Sequence, residues 1–174
     1  MRIRGRYPAA AGTGTDTAQI YGISSMKAPL TLATGTGHDA EPSLLGAADV
    51  ALVDAARRII ALRRKPEWHS VGCALRTRSG RVFTSVHVGA YVGRIDVCAE
   101  AIAIGMGAAE GDTDIETIVA VNKNGRVVAP CGMCRELIAD YGPDASVIVP
   151  GPGGDHAVSI GSLLPNKYTR HDDR

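Results

Sequence analysis

The sequence predicts an α/β fold in which helices pack across a mixed β-sheet. Three observations carry that prediction. Helical stretches and short β-branched runs follow one another in the order α-β-β-α-β-α-β-β. Gly, Pro and Asn-Gly stand between the runs as turn and stop signals. Hydrophobic residues make up 45% of the 174 positions and charged residues 21%, which allows one domain with an adequate core.

Residues 1–46 are expected to form a disordered N-terminal extension. Positions 9–17 and 31–37 are rich in Gly, Ala and Thr, with neither a helical nor a strand period. Such a stretch buries too little to offset its ordering entropy. It reads as a tail, as a product of a start placed too far upstream with Met26 as one candidate start, or as an Arg-bearing targeting segment. The folded domain is expected over 47–168, followed by a tail over 169–174.

The first helix is predicted over 47–65. Val50, Val53, Ala56 and Ile60 fall near one face and Ile59 widens it, while Arg57, Arg58 and the basic last turn stay solvated. Those last-turn cations suit the negative end of the helix dipole, and Pro66 stops the helix. Residues 71–77 and 82–88 form a hairpin around Ser79-Gly80. A helix follows from Cys98 to about Glu110, carrying Ile102, Ile104 and Met106, with Gly105, Gly107 and Ala108 as small faces for close packing. Residues 117–122 are a strand closed by the Asn124-Gly125 turn. A third helix starts at Cys131, carries Leu137, Ile138 and Tyr141, and ends at Gly142-Pro143. Strands over 146–150 and 157–160 complete the sheet and lead into Ser162-Leu163-Leu164-Pro165.

The chemistry lies between residues 97 and 136, in Cys98-Ala99-Glu100 and Pro130-Cys131-Gly132-Met133-Cys134-Arg135-Glu136. Packing does not require this pattern. Thiolates are soft anionic ligands, and Zn²⁺ takes four ligands in a tetrahedron. Cys131 and Cys134, three apart at a helix start, can close on one ion, and Cys98 reaches it from another helix. The fourth position is left to water, as in catalytic rather than structural zinc sites. Glu100 is close enough to handle that water's protons without binding metal. Three thiolates carry one negative charge more than the ion neutralises, which opposes ionisation of the water. Helix N-termini at both ligand segments compensate, and Arg135 supplies a further positive charge or a hydrogen bond to sulfur.

In these residues the chain resembles the cytidine deaminase family, in its small all-cysteine branch that includes blasticidin S deaminases. The resemblance covers residues 49–168. It implies a cytidine deaminase-like three-layer α-β-α fold with a five-stranded mixed sheet, and one Zn²⁺ per subunit held by Cys98, Cys131 and Cys134. It implies hydrolytic deamination of a cytosine-type nucleoside, cytidine or deoxycytidine, with Glu100 moving the protons and ammonia leaving. Main-chain groups at Ala99 and Ala129 would contact the base. The family's ribose-holding Asn-x-Glu motif corresponds here to His87 and Gly89, so the carboxylate is missing. A family phenylalanine is replaced by His69, and His69 with the hairpin over 76–84 looks more like the blasticidin S branch. Tyr91 and Arg94 would line the same pocket. A blasticidin S-like antibiotic or another amino-heterocycle is the alternative substrate. The resemblance also implies a homotetramer with active sites at subunit contacts, where a neighbouring subunit would supply the missing sugar-binding group, and with no continuous apolar segment after Arg2, Arg4 and Arg6 a cytoplasmic, reduced protein is expected.

Plainer readings stand beside these. The cysteines could make a structural zinc site in a non-catalytic binding protein, but such sites usually have four protein ligands. The remaining Cys73 lies in a predicted strand, where a small buried hydrophobe is the expected role. Four cysteines could also pair as two disulfides, a reading that suits small secreted chains rather than this one. A net charge of +1 and an aromatic content of 4% provide neither the basic groove nor the stacking platform that nucleic-acid substrates require. No apolar run approaches the roughly 20 residues that span a bilayer, so no membrane partner is expected.

Overall fold

The computed structural model describes residues 43–169. Most of the expected extension, and the end of the expected tail, lie outside the described residues. The elements are β1 (Ser43–Leu44), α1 (Ala47–Arg63), β2 (Val71–Thr77), β3 (Val82–Val86), a 3₁₀ turn (Gly93–Ile95), α2 (Ala99–Ala109), β4 (Ile115–Asn122), β5 (Val127–Val128), α3 (Gly132–Tyr141), β6 (Ser146–Val149), β7 (His156–Ser159) and α4 (Ile160–Leu163). The order α-β-β-α-β-α-β-β is present, and the five expected strands form. Two strands of two residues each, β1 and β5, extend the sheet, and α4 replaces what the sequence offered only as a connection.

The sheet order is β1-β7-β6-β4-β2-β3, with β5 paired to β4. The β4–β6 pair is parallel and the other pairs are antiparallel, so the sheet is mixed as predicted. Alternation along the strands divides the core in two. Ala74, Val119, Val121 and Ile148 face α1, whose Leu52, Val53, Ala56 and Ile60 cover them. Cys73, Leu75, Phe83, Ile118 and Val147 face the other way, towards Ala99, Ala103 and Ile104 of α2 and Ile138 of α3. Three layers result, with α2 and α3 together on one face.

One expected core position is corrected. Val50 is 46% exposed, and Leu52 is buried instead. At 100° per residue the buried stripe of α1 centres between Leu52 and Val53, leaving Val50 roughly 100° off it. Close approach to the sheet occurs at Gly72. A Cβ there would lie 2.7 Å from the Ala56 carbonyl and 2.8 Å from the Ile60 Cβ. The missing side chain lets α1 sit directly on β2.

Candidate metal centre and active site

The two ligand segments are the N-termini of the two helices on one face of the sheet. Cys98 is the N-cap of α2 and Cys131 the N-cap of α3, each one residue before the first helical position. Cys134 follows in the first turn of α3 and is buried. The three Sγ atoms lie within 4.8 Å of one another, and Cys98 and Cys131 are 3.8 Å apart. A tetrahedral zinc with Zn–S bonds of about 2.3 Å places its sulfurs about 3.8 Å from each other. The donor set therefore fits the ion. Cys73, fully buried in β2, stands outside the group.

Electrostatics at the thiols call for a cation. Burial pushes the Cys134 thiol far above the usual range, and the negative charge of Glu100 adds to it. Burial also raises the Cys98 thiol. Cys131 is held below the ordinary value. Burial opposes its ionisation, but hydrogen bonds from the Cys134 backbone N–H and from the neighbouring thiols outweigh that. A divalent ion held between the sulfurs would offset the charge of the thiolates and favour their ionised form.

Glu100 stands in the first turn of α2 and is only 6% exposed. It lines a narrow crevice with Ala120, Pro130 and Ile138. The same carboxylate helps push up the thiol of Cys73 beneath it, after burial itself. Ala99 is fully buried, while Ala129 is exposed just before Pro130. The start of α2 is tied to the sheet by Ser85, whose hydroxyl donates to the Ala99 carbonyl at 2.6 Å. Nothing local in the sequence marks Ser85, because the contact forms only when α2 lies on β3.

Arg135 has partners other than the expected sulfur. Its Nε donates to the Pro130 carbonyl at 3.0 Å and its Nη1 to the Leu163 carbonyl at 3.1 Å. The guanidinium thus holds the backbone leading into Cys131 against the end of α4. Its planar fork suits two acceptors in fixed directions.

His69 and His87 are brought together. Nδ1 of His69 is 2.7 Å from the His87 carbonyl, and Nδ1 of His87 is 3.3 Å from the Ser70 hydroxyl. Past β3 the ladder continues through His87 N–H to the Val71 carbonyl at 2.8 Å. By the two-residue period, His87 shares the face of Phe83 and Ser85, which is the face of the metal centre. Gly89 has little room for a side chain. A Cβ there would lie 3.0 Å from the Trp68 carbonyl, and the Gly89 N–H donates to that carbonyl at 2.8 Å. Tyr91 is 95% exposed and packs edge-on against Trp68, and Arg94 is exposed in the 3₁₀ turn. The described contacts do not join these two to the cysteines.

Sequence reasoning also missed Asp96. Its carboxylate accepts from the Ala90 N–H at 2.7 Å and stands 3.5 Å from Nε2 of His87. The loop between them folds back through a Val88–Val97 bridge, with N–H···O bonds of 3.0 and 2.9 Å. A loop closure of this kind leaves no periodic signal along the chain.

Comparison with known proteins agrees with this geometry. Residues 48–149 match the family model for the cytidine and deoxycytidylate deaminase zinc-binding region. The chain is 45% identical over 131 residues to a blasticidin-S deaminase from Bacillus cereus, covering 71% of this chain and 94% of that protein. It is 32% identical over 104 residues to a cytidine deaminase from Halalkalibacterium halodurans, covering 59% and 79%. Among solved structures, a cytidine deaminase from Burkholderia pseudomallei superposes with a TM-score of 0.60 at 30% identity, covering 68% of this chain and 98% of that one.

Proposed function

The chain belongs to the cytidine and deoxycytidylate deaminase family, a family of zinc-binding deaminases that hydrolyse C–N bonds, and from that premise we propose that its substrate is a cytosine-type nucleoside, cytidine or deoxycytidine. The observation that carries this reading is the triangle of Cys98, Cys131 and Cys134 with Glu100 buried beside it. Zinc held by the three thiolates supplies Lewis acidity that makes water a nucleophile near neutral pH. The chain's own groups do the rest. Glu100 takes one proton of the attacking water and passes it to the ring nitrogen, then carries the remaining hydroxyl proton to the amine as the C–N bond breaks and the C=O forms, so that ammonia leaves and a uracil-type product remains. Main-chain groups at Ala99 and Ala129 orient the base. Ser85 and Arg135 hold the two ligand segments in place through the Ala99 and Pro130 carbonyls. His69 and His87 line the site on the sheet side, and Tyr91 and Arg94 belong to its outer rim.

A second reading has a specific observation in its favour. Gly89 carries no carboxylate for a conventional ribose grip, and its backbone lies close against the Trp68 carbonyl, where a Cβ would be tightly placed. The 45% identity to a blasticidin-S deaminase points the same way, towards a blasticidin S-like nucleoside antibiotic. Ammonia release from cytidine, deoxycytidine, blasticidin S and a few amino-heterocycles separates the readings. Turnover of cytidine supports the first, and turnover of blasticidin S alone supports the second. Zinc retained with no amine released from any of them would make the chain a non-catalytic zinc-stabilised binding protein.

We further propose that the enzyme is a cytoplasmic homotetramer acting in pyrimidine salvage, with a catalytic unit spanning residues 47–168. The exposed apolar side chains of Val92, Ile95 and Met133, on the loop before Cys98 and beside Cys134, support a buried subunit contact there. Light scattering on the purified protein tests this, and a monomeric mass at micromolar concentration rejects it.

A further inference from the structure

We propose that the end of the molecule formed by the last turn of α1, the residues just after it and the β4–β5 turn docks onto an anionic lipid surface, without crossing it. This attachment is independent of the deaminase reading. A net charge of +1 conceals an uneven distribution. Arg58, Arg63, Arg64, Lys65, Lys123 and Arg126 are all exposed, and none of them is ion-paired among the described residues. The segments that carry them, 57–68 and 122–126, hold a single carboxylate, Glu67. The fold brings the two segments together. Val71 pairs with Asn122, so the β4–β5 turn lies beside the loop that follows α1. Arg57 of α1 also donates through Nε to the Gly125 carbonyl at 3.0 Å. Cations at the opposite end of β4 are neutralised instead. There Arg76 meets Asp49 and Glu116, Arg78 meets Asp114 and Arg81 meets Glu110, at 2.8 to 3.1 Å.

Charge complementarity calls for an anionic partner, and two further observations select a lipid surface over a nucleic acid. Leu62 is 71% exposed in the last turn of α1, in sequence between Arg58 and Arg63. An apolar side chain among cations suits the boundary where anionic headgroups meet acyl chains. Single-stranded nucleic acid instead needs aromatic faces free for stacking. Trp68, in the loop after α1, is already engaged. Nζ of Lys65 lies 5.0 Å over its ring, and Tyr91 packs against it edge-on with the ring centres 5.1 Å apart. Each Lys or Arg held near an anionic leaflet favours binding by about fivefold, so a few of these six suffice for a reversible attachment. Such an attachment weakens as salt shortens the screening length.

Co-sedimentation of the zinc-loaded full chain with two kinds of vesicle tests this, one of phosphatidylcholine alone and one containing about one-third phosphatidylserine. Binding to the phosphatidylserine vesicles is expected to exceed binding to the neutral ones by at least about tenfold at low salt, and to fall as salt is raised. Arg63→Gln combined with Arg64→Gln is expected to lower that binding by at least about tenfold, with zinc content and melting temperature retained. Leu62→Ser leaves the charge in place and is expected to lower it by about threefold or more. Should the double variant melt early, Arg58→Gln combined with Lys123→Gln carries the same test. Equal binding to both vesicle types, or binding to neither, overturns the proposal. So does unchanged binding by the folded double variant, which would assign the attachment to another part of the chain. A single-stranded RNA oligonucleotide that is held while the vesicles are not, and is released by the same substitutions, overturns it in favour of a nucleic-acid surface. Ammonia release plays no part in these readouts, so failure here leaves the deaminase reading standing, and failure of that reading leaves this one standing.

Discussion

Glu100 is placed by two independent constraints. Its distance along the chain from Cys98 puts it in the first turn of α2, and burial at 6% exposure keeps bulk water from competing for its proton. Glu100→Gln keeps the shape and removes the proposed base. Ammonia release is expected to fall by at least about 100-fold while bound zinc, measured by elemental analysis, stays at the wild-type level. An active Glu100→Gln protein would assign the proton transfers elsewhere. Cys131→Ala has the opposite signature. It removes one of three sulfurs and cannot be compensated by Cys73, which stands outside the cluster. Loss of zinc and activity together is expected, and elemental analysis decides it.

Between elements, two contacts set how closely the layers approach. Gly72 lets α1 touch β2, so Gly72→Ala places a methyl group against the Ala56 carbonyl and the Ile60 side chain. Overpacking of this kind costs about 1–3 kcal/mol, readable as a lower midpoint in urea unfolding with an unchanged slope. Arg76 works on the edge of the same layer. Its guanidinium joins Asp49 and the Ala48 carbonyl at the start of α1 to Glu116 and Thr117 on β4, at 2.8 to 3.0 Å. Only 15% of that side chain is exposed, so its loss leaves two acceptor carboxylates partly desolvated. Arg76→Met is expected to destabilise by about 1–3 kcal/mol without changing zinc content, as read by the same unfolding curves. A midpoint within error of the wild type would show that the network contributes nothing net.

On the scale of the whole molecule, a metal ion held by the three cysteines would also act as a clasp. Cys98 and Cys131 begin two helices that pack on the same face of the sheet. An ion bound to both N-caps and absent from the unfolded chain stabilises the fold by mass action. Removal of zinc with a strong chelator is expected to lower the thermal midpoint, and re-addition of zinc to restore it. A midpoint indifferent to chelation, with zinc shown to be gone, would separate folding from metal binding.

Much of this was legible in the chain. The helices over 47–63 and 132–141 and the hairpin strands declare themselves through apolar period and turn residues. The cysteine spacing declares the group that could hold a metal, because a helix start brings residues three apart towards one ion. Short partners were not legible. Two-residue strands such as β1 and β5 have no periodicity to detect and exist only because β7 and β4 offer them hydrogen bonds. The inward turn of Leu52 in place of Val50 depended on which stripe of α1 the sheet covers. Arg135 was expected to serve the sulfurs, yet its partners are the Pro130 and Leu163 carbonyls, which the docking of α4 brings to it. Sequence alone therefore determined which chemistry this chain carries, since ligand spacing is a local property of helix geometry. Tertiary structure decided what surrounds that chemistry, from the Ser85 brace to the Asp96–His87 pair, because those contacts join residues whose closeness arises only when strands and loops close on one another.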